Sequence, residues 1–137
     1  MINGFSHVSI VVPDLEAAAR MLVERYGLSV GARTVNEQQG VRLAYVELDG
    51  GKIELMEPSR ADSPVAKFLE RNPKGGIHHF SLRVDDVEQA ARDLGGRGVR
   101  VLGDGKSQHN VAGERIAFIH PADFLGALVE LEQHEAK

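Results

Sequence analysis

The 137-residue chain contains no cysteine and no tryptophan. The first absence excludes a disulfide scaffold, thiolate zinc sites and a cysteine nucleophile, so any metal has to be held by imidazole, carboxylate or amide groups. The second, with aromatics at only 5%, leaves little from which to build stacking platforms for nucleobases. Basic residues are not in excess: 16 Lys and Arg against 20 Asp and Glu give a formal charge of −4. That balance supplies no field for phosphate backbones and argues against a nucleic-acid partner. No apolar run approaches the roughly 20 residues that span a bilayer. Met1 to Gly4 carries no basic segment ahead of a long apolar one, so no membrane partner is expected and a cytoplasmic location is. What is present is ordinary for a globular protein, 42% hydrophobic and 26% charged, at a length suited to one domain.

The chain repeats itself. His7 to Leu22 (HVSIVVPDLEAAARML) placed over His79 to Leu94 (HFSLRVDDVEQAARDL) gives nine identities in sixteen positions without a gap. Each copy opens with an alternating run, Val8/Ile10/Val12 or Phe80/Leu82/Val84, the period-two mark of a strand with one buried face. Asp14 and Asp86 then stand where a helix N-cap belongs, followed by Leu15, Ala18, Ala19 and Leu22 in one copy and Val87, Ala90, Ala91 and Leu94 in the other. Gly27 and the pair Gly95-Gly96 are placed to end these helices. Short apolar segments follow, at 28–32, 41–48 and 52–56, then at 99–102, 115–119 and 127–131. The pattern predicts an α+β fold of two tandem βαβββ modules, about 4–58 and 76–133, in which a curved, cupped mixed sheet surrounds a central metal site with helices outside. Ser63 as N-cap and Pro64 at N1 predict a short linking helix around 63–71. The polar, glycine-containing stretch 103–113 reads as a loop able to close over a site.

Strand alternation puts His7 and Ser9 on one face of the first strand, and His79 and Ser81 on the matching face of its repeat. In the last strand of each module Glu54 and Glu130 are set apart from their apolar neighbours in the same way. A polar residue alternating with apolar ones usually marks a solvated strand face; recurrence in both copies is what argues for a site. If the modules join around a pseudo-twofold axis, two imidazoles and two carboxylates converge, an N/O donor set suited to Mn, Co, Ni or Zn with two positions left for exchange. His78 points by parity to the helix-packed side and reads as structural, while His109 and His134 have no such pairing and read as loop or surface residues.

These residues resemble the vicinal oxygen chelate, or glyoxalase/bleomycin-resistance, superfamily, and within it the methylmalonyl-CoA epimerases. The resemblance covers nearly the whole chain. Its more selective pieces are Lys52 to Pro58 (KIELMEP), Asp62 to Leu69 (DSPVAKFL), Gly75 to His79 (GGIHH), Phe118 to Pro121 (FIHP) and Leu128 to Gln133 (LVELEQ). It implies His7, His79 and Glu130 as ligands of one divalent ion per chain, cobalt favoured, with Glu54 at a fourth position that is an amide in some members. The ligand set is also that of metal-dependent glyoxalase I, but His120-Pro121-Ala122-Asp123-Phe124 stands where those enzymes carry an Asp-Pro-Asp-Gly type of turn, which favours the epimerase.

The implied reaction is a 1,1-proton transfer at the carbon between a thioester and a carboxylate, through an enolate whose charge a cation stabilises. Glu130 is the leading base and Glu54 the second catalytic carboxylate. A further Glu that some epimerases carry three residues after the equivalent of Gly40 is Leu43 here, which leaves the opposite face to Glu54, Glu47 or a water. For an acyl-CoA substrate the resemblance and loop positions point to Arg115, His120 and Ser81, with Lys74 and Lys106 as further cations; Phe124 and Leu125 read as core or pocket wall. A lactoylglutathione lyase of glyoxalase I type and a non-catalytic binding protein of the same fold are the competing readings, and a ring-cleaving dioxygenase a remote one. Open sheet edges predict a homodimer.

Overall fold

The computed structural model describes residues 1–134. The chain runs β1 (Ile2–Val11), α1 (Leu15–Tyr26), β2 (Thr34–Asn36), β3 (Val41–Leu48), β4 (Gly51–Pro58), α2 (Pro64–Arg71), β5 (Gly76–Val84), α3 (Val87–Gly95), β6 (Val101–Leu102), β7 (Ile116–Ile119), a 3₁₀ turn (Pro121–Asp123) and β8 (Val129–Gln133). The α+β class and the doubled βαβββ order match the expectation. Among the described residues no helix is long and apolar enough to cross a membrane. Backbone proximity groups residues 7–78 into one compact unit, and residues 1–6 with 79–134 into another.

In the unit of residues 7–78 the strand order is β2-β3-β4-β1, antiparallel except for the parallel pair β1/β4. One face packs under α1 through Leu15, Ala44 and Leu55, joined by Ile10, Leu22, Val30 and Ile53. The other face carries Val11, Val41, Leu43 and Met56, covered by Val65, Phe68 and Leu69 of α2. The caps read from sequence form: the Asp14 carboxylate accepts from the Ala17 amide at 3.0 Å, and Gly27 ends α1 at φ 67°. Glu57, at the end of β4, also accepts from the Leu15 amide at 3.0 Å and so ties the strand to the start of α1. The segment 28–32, expected as a strand, forms no ladder. Among the described residues its backbone link to β3 is the Gly31 amide, 2.9 Å from the Tyr45 carbonyl, and the short strand β2 forms further along.

Gly75, in the turn before β5, has φ +85°, and a Cβ there would lie 2.3 Å from the Val11 carbonyl oxygen. Two backbones meet at that point with no side chain able to yield. Gly75→Ala is expected to cost about 2 kcal/mol or more, the sum of left-handed strain and a forced backbone shift, read as a lowered urea midpoint at constant m.

In the second unit the order is β5-β8-β7-β6, with β5/β8 parallel and the rest antiparallel. Val84, Ala117, Ile119, Val129 and Leu131 pack under α3 through Val87 and Ala90. Asp86 caps α3 as Asp14 caps α1, with the Gln89 amide at 3.0 Å, and Gln133 Oε1 accepts from the Val87 amide at 3.0 Å in the place that Glu57 has in the first module. Residues 1–6 are fastened to this unit. Asn3 donates to Asp85 at 2.8 Å, Arg83 donates to the Phe5 carbonyl at 2.8 and 3.1 Å, and Ser6 donates to Glu132 at 2.9 Å.

The loop 103–113 opens by folding onto α3. Gly105, buried with φ +75°, has Val87 Cγ1 2.9 Å from where its Cβ would be, and Lys106 pairs with Glu88 at 3.3 Å. Asp104 accepts from the Ser107 and Lys106 amides and the Ser107 hydroxyl, which holds its carboxyl down at about 2. Asp123 is likewise held at about 2, by the side chain and amide of Arg100. A depressed carboxyl stabilises the fold above its ordinary pKa and loses that contribution as pH falls toward its folded value, so both clasps hold through mildly acid solution and let go only as pH drops from about 4 toward 2.

Candidate metal centre

Each unit carries one half-site, and the two are built alike. In the first, the parallel register of β1 and β4 sets Ser9 beside Glu54, and the antiparallel register of β4 and β3 sets Glu54 beside Tyr45. The three side chains form a row across the sheet on the face that also bears His7. Ser9 Oγ donates to Glu54 Oε1 at 2.6 Å, Tyr45 Oη donates to Glu54 Oε2 at 2.8 Å, and His7 Nε2 lies 3.8 Å from Glu54 Oε1. The Tyr45 ring meets the His7 ring edge-to-face at 6.0 Å, and Lys52 Nζ stands 5.1 Å from the Tyr45 ring centroid.

The second unit repeats the row. Ser81 pairs with Glu130 across the parallel strands β5 and β8, and Phe118 pairs with Glu130 from β7. Ser81 Oγ donates to Glu130 Oε1 at 2.9 Å, His79 Nε2 lies 3.7 Å from Glu130 Oε2, and the Phe118 ring meets His79 edge-to-face at 5.6 Å. All four donors are buried: His7 2% exposed, His79 5%, Glu54 7% and Glu130 6%.

The donor set fits a cation. In each half-site the imidazole nitrogen and the carboxylate oxygen are too far apart to share a hydrogen bond, yet inside the separation of about 4.2 Å that two ligands of one ion at about 2.1 Å each can span. Each carboxylate is turned toward its imidazole by a fully buried serine, Ser9 or Ser81, both 0% exposed. Hydrogen bonding of a ligating carboxylate from behind is the usual way its direction is fixed. Burying a carboxylate beside an imidazole is costly unless a positive charge faces them, and nitrogen with oxygen suits a divalent first-row metal.

The other sequence candidates go elsewhere. Leu43 is 2% exposed in the apolar cluster under α2. Glu47, at the exposed end of β3, pairs with Lys52 at 3.9 Å. His120 Nδ1 accepts from the Ala122 amide at 3.1 Å, so the ring caps the 3₁₀ turn. The Arg115 guanidinium, on the residue just before β7 that bridges to His109, pairs with Glu88 of α3 at 3.2 Å. Arg115 does line an open hollow of about 690 Å³ with His109, Glu114 and Gln133. Lys106 shares Glu88 with it, and Lys74 is exposed before β5. Burial holds the His78 imidazole below its ordinary pKa, and its ring meets Phe68 edge-to-face at 5.2 Å. His134 Nε2 contacts Glu132 at 2.6 Å and its Nδ1 faces Glu114 at 3.4 Å, a chain of polar contacts that Ser6 extends inward. Phe124 packs edge-to-face on Phe80 at 5.7 Å, whereas Leu125 is 99% exposed at φ 56°. Sequence reading missed Tyr45, which in an alternating strand looks like any half-buried aromatic.

Comparison with known proteins gives the same direction. Residues 6–118 match the family model of the glyoxalase/bleomycin resistance protein/dioxygenase superfamily. An ethylmalonyl-CoA/methylmalonyl-CoA epimerase of Cereibacter sphaeroides is 46% identical over 133 residues, 97% of this chain and 99% of that one. The mitochondrial methylmalonyl-CoA epimerase of Homo sapiens is 39% identical over 132 residues, 96% of this chain and 74% of that one. The structure of a Streptomyces coelicolor methylmalonyl-CoA epimerase variant in complex with 2-nitronate-propionyl-CoA superposes with a TM-score of 0.89 at 37% identity, covering 99% of this chain and 100% of that one.

Proposed function

Because this chain belongs to the glyoxalase/bleomycin resistance protein/dioxygenase superfamily, and within it to the methylmalonyl-CoA epimerases, we propose that it interconverts the (R) and (S) forms of methylmalonyl-CoA by 1,1-proton transfer. It is an isomerase of the epimerase type. The observation that carries the reading is the doubled half-site, an imidazole and a serine-oriented carboxylate in each module. We assign His7, Glu54, His79 and Glu130 as the ligands of one divalent ion per chain, with cobalt as the native metal. Such an ion would supply positive charge where the thioester oxygen gains negative charge.

The protein's own groups have three tasks. Glu130 removes the proton from the carbon between thioester and carboxylate and can return it, a role that needs one carboxylate oxygen within about 3 Å of that carbon's hydrogen in the productive pose. Ser81 keeps the other oxygen occupied and so sets which lone pairs face the substrate. The opposite face cannot be served from position 43, where the leucine side chain is sealed under α2. Glu54, the second catalytic carboxylate, faces the substrate as a ligand. Arg115, beside the hollow it lines with His109, is the cation proposed for the charged end of the acyl-CoA, and His120 shapes the wall through its turn. The reading includes pairing into a homodimer, which light scattering on a sizing column tests.

The experiment is solvent deuterium incorporation. Metal-loaded protein in D₂O is expected to place deuterium at the α-carbon of methylmalonyl-CoA while racemising it, and to leave the glutathione hemithioacetal of methylglyoxal unchanged. Turnover of the hemithioacetal without exchange of the malonyl proton would replace this reading with that of a lactoylglutathione lyase.

A further inference from the structure

The two half-sites differ at one side chain. Tyr45 and Phe118 take the same place, each opposite the site carboxylate in the antiparallel ladder and each edge-on to the site imidazole. Tyr45 carries a hydroxyl, and that hydroxyl donates to Glu54 Oε2 at 2.8 Å while Ser9 donates to Oε1 at 2.6 Å. Both oxygens of Glu54 are therefore held by hydroxyl donors that are themselves fixed on neighbouring strands. A phenylalanine cannot do this for Glu130.

We infer that Tyr45 is a positioning residue that locks Glu54 as a stationary ligand. The inference rests on the cation reading above. A carboxylate accepting two short hydrogen bonds has lone pairs committed on both oxygens and little freedom to rotate toward a carbon-bound proton. It keeps the remaining lone pair of each oxygen in a fixed direction, as an ion requires. Tyr45 also touches His7 through its ring, so one side chain orients both ligands of the first half-site.

The test uses Co²⁺ as the probe. Apo wild type and apo Tyr45→Phe are titrated with Co²⁺ against a competing chelator, the visible ligand-field bands are recorded at each step, and the apo thermal midpoints are measured separately. The Co²⁺ dissociation constant is expected to rise about 10–100-fold in the variant, the usual effect of removing a group that orients a metal ligand, with displaced bands and apo midpoints within a few degrees of each other. In a Glu54→Ala background the same Tyr45→Phe change is expected to move the dissociation constant by less than about threefold, since nothing is left for the hydroxyl to orient. Unchanged affinity and spectrum in Tyr45→Phe overturn the inference alone, as does an effect that persists undiminished without Glu54. A wild type that takes up no Co²⁺ overturns the reading beneath it and the inference together.

Discussion

Glu130→Gln is expected to lower methylmalonyl-CoA epimerisation by about a thousandfold or more and to remove deuterium uptake at the α-carbon to the same extent, in the range that loss of a positioned acid or base produces. The amide keeps the length and the hydrogen-bonding reach of the carboxylate, so Ser81 still has an acceptor at 2.9 Å and the β5/β8 register is not disturbed. What disappears is an oxygen that can take up a proton. Glutamine also remains an oxygen donor, so a cation is weakened but not expelled, and the loss should appear in kcat with KM altered by less than about tenfold. The measurement is exchange and racemisation on the same metal-loaded samples. A variant that still exchanges the α-proton at more than a tenth of the wild-type rate would show that Glu130 is a ligand only, and the base would have to be sought elsewhere.

The repeat is why so much of this was legible from sequence. His7, Ser9 and Asp14 recur as His79, Ser81 and Asp86 at one fixed offset, and the structure turns these into imidazole, carboxylate-orienting hydroxyl and helix cap in both modules. Features that the two copies do not share as identities stayed hidden. Tyr45 takes the ladder place of Phe118 but lies outside the repeated stretch of sixteen residues, so nothing in the sequence marked its hydroxyl. Glu57 and Gln133 do the same work at the N-termini of α1 and α3, but as different residues, so neither stood out. The segment 28–32 has an apolar composition that suits a strand, yet Val30 is drawn into the core beneath α1 and, among the described residues, one backbone bond joins it to β3. Serine roles were legible in position and not in partner: Ser81 lies on the predicted face, but its hydroxyl is spent on Glu130, a matter of parallel register that no alternation pattern states. Arg115 was placed by its motif, but its pairing with Glu88 was not.

Removing divalent metal is expected to abolish turnover, to below about 1% of the loaded protein, and addition of Co²⁺ is expected to restore it. Stability gives the independent readout. An ion that binds only the folded chain stabilises it by about 4 kcal/mol when present at about a thousand times its dissociation constant, which for a chain of this length corresponds to a rise in thermal midpoint of about 10 °C or more. The apo fold should persist, because the three hydrophobic clusters and the N-caps of α1, α2 and α3 are made without reference to the donors. His7→Ala and His79→Ala should each lose most of the metal-induced rise, since each removes one of two imidazoles, and the near-identity of the half-sites predicts that the two losses are similar. Stoichiometry then separates a shared ion from two independent ones. One Co²⁺ per chain in equilibrium dialysis supports a single centre served by both modules, whereas two per chain would assign an ion to each imidazole-carboxylate pair. No rise with Co²⁺, Ni²⁺, Mn²⁺ or Zn²⁺ would mean that the buried imidazoles and carboxylates hold no cation, and the charge stabilisation on which the proton transfer depends would have no source.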